Sequence, residues 1–501
     1  MTRQLRRVAW ALFALFGVLF ANLNYLQVLR ADELAADNRN ARGLIREYDI
    51  RRGSIVVEGD DAAEAEEIAE AVETSGRLRY RRHYPQGPLY AHVTGFYSIV
   101  YGRAQLESSV NPYLVGSAPE TFARNLADLL AGRPRRGDDV ITTLHPRVQA
   151  AAREALGSRT GAVAAFDPST GEVLALWSNP SYDPNVLSSH DPDEIRAEWE
   201  RLEADADQPR LNRAAQAWYP PGSTFKVVTA AAALEDGIAP SQTFPDPERQ
   251  TLPLSNATIG NFGGGTCNGG QPISLARALQ VSCNTTFAQL GLQLGSDKLV
   301  TQAERFGLNQ EWDFDLPLLT SRIPRGMDAP STAQSAIGQR DVRVTPLQMA
   351  MIAGAVANEG KLLRPRVIRR VEDFAGRIIA RYEPDPLIFP GKADPQVMTP
   401  ENARVLRDLM VGVVDSGTGR RARIPGVRVG GKTGTAQNGD EPPFAWFIGF
   451  APAERPRVAV AVVVEGGGGL GDEATGGALS APVARAVMQA ALAAAGGGVK
   501  G

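Results

Sequence analysis

Only two of the 501 residues are cysteine, Cys267 and Cys283. That excludes a Cys-rich zinc module and a disulfide-dense mini-scaffold. Histidine is nearly as scarce: His83, His92, His145 and His190 are the whole set, and all lie before residue 191. The later part of the chain therefore cannot supply a Ser-His-Asp triad by itself. Neither sign of charge dominates, the formal net charge being −3, so the basic footprint of a nucleic-acid binder is missing. Lysine is rare too, with six against 47 arginines, which makes each lysine inside a motif informative. No repeat recurs at a solenoid period.

What is there reads as a large globular chain: 43% hydrophobic, 22% charged, and too long for one ordinary domain. One segment is apolar enough for a membrane. Arg3, Arg6 and Arg7 precede an apolar run from Val8 to Ala21, with a weaker tail to Leu29. As a helix, residues 8–29 span about 33 Å, enough for the hydrocarbon core. The arginines predict a cytoplasmic N-terminus and an exported body. A cleaved signal peptide is the alternative, but no small-x-small cleavage site precedes Arg30–Asp32.

Beyond the anchor, "RRGSIVV" leads into a β-like run, and the acidic Ala/Glu stretch near 60–73 predicts a helix. The turn-rich "AGRPRRGDD" closes a connector over 116–138. From Val140 the texture changes. Residues 161–178 predict a hairpin around Asp167–Gly171, and helical patterns fit 223–235, 273–294 and 345–357. Strand-like runs follow at Val427–Gln437, Ala445–Ala451 and Arg457–Glu465, then an Ala-rich helix at 481–494. Two early strands, a helical middle and three late strands predict one antiparallel sheet assembled from both ends of the domain.

Three short motifs carry chemistry. In "WYPPGSTFKVVTAAAAL" the prolines and Gly222 stop the preceding structure, so a helix begins at Ser223. Residues three apart share a helix face, which puts Lys226 one turn below Ser223 and able to take its proton. To act as a base the amine must be neutral, which requires desolvation or a cationic neighbour. Ser282-Cys283-Asn284 offers a hydroxyl and an amide that converge if the backbone forms a loop between helices. Lys432-Thr433-Gly434-Thr435 lies on a predicted strand, pairing a cation with hydroxyls for a carboxylate; its glycine admits a close approach. Singly, each motif reads more readily as helix capping, a surface lysine or a glycine bulge; Ser109-Val110-Asn111 repeats the second pattern by chance. All three together, in this order, form the signature of penicillin-interacting serine enzymes.

On these residues the chain resembles a class B penicillin-binding protein, most like the actinobacterial penicillin-binding protein A group. "RGSI", "DPSTGEVLALWSNPSYDPN", "NRAAQAWYPPGSTFK", "AIGQRDVRVTPLQMAMIAGAVANEG", "GGKTGTAQ" and "AWFIGFAP" extend the resemblance over almost everything after the anchor. "GQRDV" departs from the Gly-Gln-Gly of many class B chains and sides with the protein A group. The resemblance implies an α+β penicillin-binding transpeptidase fold, akin to the serine β-lactamases: a five-stranded antiparallel sheet between helices. It implies a stub and anchor at 1–30, a smaller α+β pedestal or dimerisation domain at 31–138, the transpeptidase domain at 139–494 and a tail at 495–501. Residues 31–138 are too few for the glycosyltransferase domain of bifunctional relatives.

The implied activity is cross-linking of peptidoglycan stem peptides ending in D-Ala-D-Ala, with acylation by β-lactams and no metal or cofactor. Ser223 is the implied nucleophile, Lys226 the base and Ser282 the proton relay. Asn284, Lys432, Thr433, Gly434 and Thr435 would hold substrate. Implied partners are a SEDS-type membrane glycosyltransferase and divisome proteins, on the outer side of the cell membrane; nucleic acid is not expected. A serine β-lactamase is the rival enzyme, but no Glu is evidently placed to activate water. A β-lactam sensor would need further spans and an effector domain, and an inert divisome scaffold would not need intact motifs. Finally, export allows Cys267 and Cys283 to pair, the single possible connectivity, which would tether the loop bearing Ser282 and Asn284. Two unlinked buried thiols are the alternative.

Overall fold

The computed structural model describes residues 2–30, 45–60, 64–389, 394–439, 441–469 and 475–497. At its centre lies a five-stranded antiparallel sheet. Its strands are β1 (Gly161–Phe166), β2 (Val173–Asn179), β3 (Gly430–Asn438), β4 (Glu441–Ala451) and β5 (Val458–Val464). The order across the sheet is β3-β4-β5-β1-β2, so the two ends of the domain meet at the β5–β1 pairing, Val464 opposite Gly161. Every residue of β1 and β5 is buried. Both faces are therefore covered, which is why "VAVAVVV" is continuously apolar instead of alternating. Strand β3 is different in kind. It is rich in glycine and polar residues and stands at the sheet edge, where one side of its backbone has no neighbouring strand.

Helices pack around this sheet: α1 (Lys226–Glu235), α2 (Leu275–Val281), α3 (Asn284–Arg305), α4 (Pro346–Ala357), α5 (Pro400–Ser416) and α6 (Ser480–Gly497). Helix α4 is buried along its length and lies on β5, β4 and β1, close enough that a Cβ on Gly354 would meet the Phe166 ring at 2.4 Å. The helical pattern over 273–294 is not continuous. It breaks at Ser282, whose left-handed backbone (φ 65°, ψ 40°) ends α2 before α3 begins. The helix expected from Ser223 opens as a tight 3-10 turn, Gly222–Phe225, before α1.

A six-stranded sheet stands in front of this body. It joins Ile55–Val57, Glu66–Glu73 and Tyr80–His83 to Asp139–Thr142 and to Ile368–Glu372 and Ile378–Arg381. Here one expectation fails: Glu66–Glu73 is a strand, not part of a helix over 60–73, and residues 61–63 lie outside the described set. Its helix-favouring Ala and Glu side chains yield to pairing with strands on either side, against Ile55–Val57 and Tyr80–His83. Beneath these strands Glu107 is fully buried between Arg52 (2.7 Å) and Arg82 (2.5 Å). At the N-terminus, Arg3–Leu29 is helical and has mean hydropathy 1.7, and its apolar window is 0% buried.

Candidate active site

The nucleophile candidate sits where three glycines let backbone meet backbone. Gly222 adopts φ +52°, and a Cβ there would come within 2.7 Å of the Thr435 carbonyl on β3. Opposite it, a Cβ on Gly434 would lie 2.9 Å from the Pro221 carbonyl and from Thr224. On another side the Gly222 N–H donates to the Gly338 carbonyl at 2.9 Å, and a Cβ on Gly338 would strike Gly222 at 2.0 Å. The Trp446 indole N–H adds a bond to the Pro220 carbonyl at 3.1 Å. Half-buried Ser223 is thereby held against the Lys432–Thr435 strand.

The two motif lysines converge from different elements. Both are fully buried. Lys226 Nζ donates to the Ser282 carbonyl at 2.8 Å and to Asn284 Oδ1 at 2.7 Å, and lies 3.4 Å from Ser282 Oγ. Lys432 Nζ donates to Ser282 Oγ at 2.8 Å and to the Thr433 carbonyl at 2.9 Å. Burial pushes Lys226 well below the ordinary lysine range, and the nearby Lys432 charge pushes it further. Burial alone brings Lys432 down to about 7. No carboxylate is among the groups acting on either amine. A neutral amine is thus accessible at ordinary pH, which is what a general base next to a serine needs.

All eight motif residues gather in one place. Left-handed Ser282 aims its hydroxyl between the two lysines, while Asn284 gives its carbonyl oxygen to Lys226 and one amide N–H to the Gly260 carbonyl at 2.9 Å. Among the described residues its second N–H has no partner, which leaves it open to a ligand. Cys267 and Cys283 are joined in a disulfide with Cα atoms 5.8 Å apart. Asp246 lies beside the two sulfurs and accepts N–H bonds from Cys267, Asn268 and Gly270, pinning the glycine-rich loop. Because both sulfurs are used in the disulfide, that group contains no thiolate ligand.

Sequence reasoning missed several partners. Asn261 Oδ1 caps α3 by accepting from the N–H groups of Asn284 (2.9 Å) and Thr285 (3.1 Å). Thr418 shares a 2.6 Å hydroxyl contact with Thr433. Neither carries a local signal: they come from loops 23 and 15 residues before their partners, which only folding brings to the motifs. Cavities of about 560 and 660 Å³ occur elsewhere, around Arg159 and Glu465 and around Arg153 and Trp177, so concavity alone would not single out this site.

Residues 161–489 match the model of the penicillin-binding protein transpeptidase domain. The chain belongs to this family. As a class B penicillin-binding protein it also matches, over residues 52–140, the penicillin-binding protein A dimerisation domain. It is 44% identical to the peptidoglycan D,D-transpeptidase PbpA of Mycolicibacterium smegmatis, over 98% of this chain and 99% of that protein. The Mycobacterium tuberculosis PbpA is 41% identical, also over 98% of this chain and 99% of the relative. The solved M. tuberculosis penicillin-binding protein A, as a ceftriaxone acyl-enzyme complex, superposes with a TM-score of 0.84 at 41% identity. That comparison covers 89% of this chain and all of the other. Its penicillin G acyl-enzyme complex gives a TM-score of 0.81 at 41% identity, over 88% of this chain and all of the other. The fold and family expected from the motifs are the ones found.

Proposed function

We propose that this penicillin-binding protein is a peptidoglycan D,D-transpeptidase in which Ser223 is acylated by stem peptides and by β-lactams. One observation carries the reading: two buried lysines without a carboxylate converge on Ser282 Oγ beside the Ser223 turn. In the first half-reaction Ser223 Oγ attacks the carbonyl of the penultimate D-Ala, and its proton passes to neutral Lys226. The developing oxyanion is met by the backbone N–H groups of Ser223 and Thr435, typically worth about 3–4 kcal/mol per donor. The C–N bond then breaks, and the departing D-Ala amine takes a proton through Ser282. In the second half an acceptor amine attacks the ester, its proton returns by the same relay, and Ser223 is released as the alcohol. Lys432, Thr433 and Thr435 bind the terminal carboxylate, Gly434 allows the strand to approach, and the free N–H of Asn284 takes the peptide carbonyl.

In this reading the helix Arg3–Leu29 anchors the chain in the cell membrane with the N-terminus cytoplasmic and the catalytic domain outside. Residues 31–138 form the pedestal, 139–494 the transpeptidase domain and 495–501 the tail. A SEDS-type glycosyltransferase and divisome proteins are the partners, and wall synthesis at division is the setting. The chemistry is tested with a fluorescent penicillin. It should label the full chain covalently and survive denaturation, and Ser223→Ala should abolish the label; a labelled alanine variant would move the nucleophile elsewhere.

A further inference from the structure

A cationic ridge runs along the segment that leads into Ser223. Tyr219 exchanges both backbone hydrogen bonds with Val344 (3.0 and 2.9 Å), and Arg343 exchanges both with Arg322 (2.9 and 2.7 Å). Three short stretches therefore lie side by side, and the turn that joins Gly338 to Arg343 carries Arg340. That turn touches the residue before the nucleophile, since the Gly338 carbonyl accepts the Gly222 N–H. The ridge and the Lys432–Thr435 strand thus meet at Gly222, which contacts both.

Arg340 is an odd residue for its position. Its backbone is left-handed, φ +61°, where glycine is the natural choice. A side chain kept against that preference calls for a reason in function. Its guanidinium is 47% exposed and poorly partnered: 3.8 Å from Asp341, itself 68% exposed, and 3.5 Å from Gln334 Oε1. Arg343 spends its donors on the Arg340 and Val342 carbonyls (2.7 and 3.0 Å), and Arg322 lies flat over Trp218 at 4.1 Å. Among the described residues neither of these two has a carboxylate within salt-bridge reach. Three guanidinium groups against one exposed aspartate leave positive charge beside the turn that meets Gly222.

We propose that Arg340, backed by Arg343, forms a second anion subsite for a carboxylate of the donor peptide upstream of its scissile bond. The proposal rests on the transpeptidase reading above, in which Lys432 and its threonines take the terminal carboxylate. A stem peptide whose D-glutamate is linked through its γ-carboxyl leaves that residue's α-carboxylate free, two residues before the reacting D-Ala. Two extended residues span about 7 Å and the carbons between the γ-carbonyl and the α-carboxylate add about 5 Å more; Arg340 stands two residues beyond Gly338, and its long side chain adds to that backbone reach. A planar guanidinium fork matches a carboxylate edge on, and a lysine in its place would keep only the charge.

The test compares two D-Ala thioester donors of equal length on the full, detergent-solubilised chain. One carries the upstream γ-linked D-glutamate and the other its amide. At low salt the ratio of their kcat/KM values should favour the carboxylate by about fivefold, the scale of an exposed ion pair. The ratio should fall to near one in Arg340→Gly and in about 0.5 M NaCl, and should stay partly above one in Arg340→Lys. Because glycine suits a left-handed backbone, Arg340→Gly should melt no lower than wild type, which separates lost recognition from lost folding. A wild-type ratio of one, or a ratio equally high in wild type, Arg340→Gly and Arg340→Lys, overturns the subsite. Failure of the wild type to take a fluorescent penicillin would overturn the transpeptidase reading, and the subsite with it.

Discussion

Lys432 Nζ and Ser282 Oγ stand 2.8 Å apart, although 150 residues separate them in the chain. The contact joins a sheet-edge strand to an inter-helix loop and makes Ser282 the meeting point of both buried amines. Removing that hydroxyl should interrupt proton delivery to the leaving amine. Ser282→Gly suits the left-handed backbone at this position, so the fold should persist with a melting temperature near wild type. Acylation by penicillin should slow by about 10²-fold, the scale of a lost acid–base partner. Stopped-flow acylation at unchanged melting temperature checks this; a rate within a few-fold of wild type would take Ser282 out of the relay.

Lys432 is held in a costly state. Burial brings its pKa down to about 7, against about 10.4 in an unfolded chain. The unfolded state therefore binds more protons between these values, and stability rises with pH across that window. Below pH 7 the full cost of burying the ammonium is present. Lys432→Met, which keeps the length and drops the charge, should raise stability at pH 6 by a few kcal/mol at most. The gain should shrink as pH climbs toward 10, while penicillin acylation drops at every pH. Melts of both forms from pH 6 to 10 would show the two curves converging; parallel curves would mean Lys432 is not buried as a cation.

The Cys267–Cys283 disulfide closes a loop with a sequence separation of 16, which in the chain-entropy account is worth about 3 kcal/mol. Thiol counting on denatured, unreduced protein should find no free thiols. Reduction should lower the melting temperature and also change the acylation rate, because Cys283 lies between Ser282 and Asn284. An unchanged rate after complete reduction would show that Asn261 and the N–H bonds to Asp246 hold the loop without the bond.

The buried carboxylate in front of the catalytic body gives a second pH test, in the acid range. Burial raises the Glu107 pKa, but Arg82 and then Arg52 outweigh that and hold it below the usual range. Its contribution is present above an unfolded value of about 4.3 and is lost as pH falls through the lower folded value. Glu107→Gln strands two guanidinium groups in the interior and should destabilise the protein by about 3–5 kcal/mol at pH 7. Its deficit against wild type should narrow in acid. Denaturant melts at pH 7 and pH 3 would reveal this; a deficit below about 1 kcal/mol at pH 7 would mean the ion pairs contribute little.

Much of this protein could be read in one dimension. Ser223, Lys226, Ser282, Asn284 and Lys432 stand out as candidates because short motifs pack several chemical requirements into three or four positions. Strands such as β5 were legible because burial on both faces demands uninterrupted apolar runs such as 458–464. The Arg3–Leu29 helix was found because length and apolarity are properties of composition. Each of these is a local constraint, and local constraints leave a trace in sequence. What pairs across space leaves none. The segment Glu66–Glu73 has helix-forming side chains, and only strands on either side of it make it a strand. Thr418 and Asn261 have no motif of their own and acquire a role from the neighbours that folding supplies. The depressed pKa values of Lys226 and Lys432 follow from desolvation and, for Lys226, from a second cation, so they exist only once both amines are sealed into one interior. The sequence alone thus determined which groups could react and in what order they occur. The tertiary structure decided their protonation, because a proton's affinity is set by the surroundings of the group and not by its place in the chain.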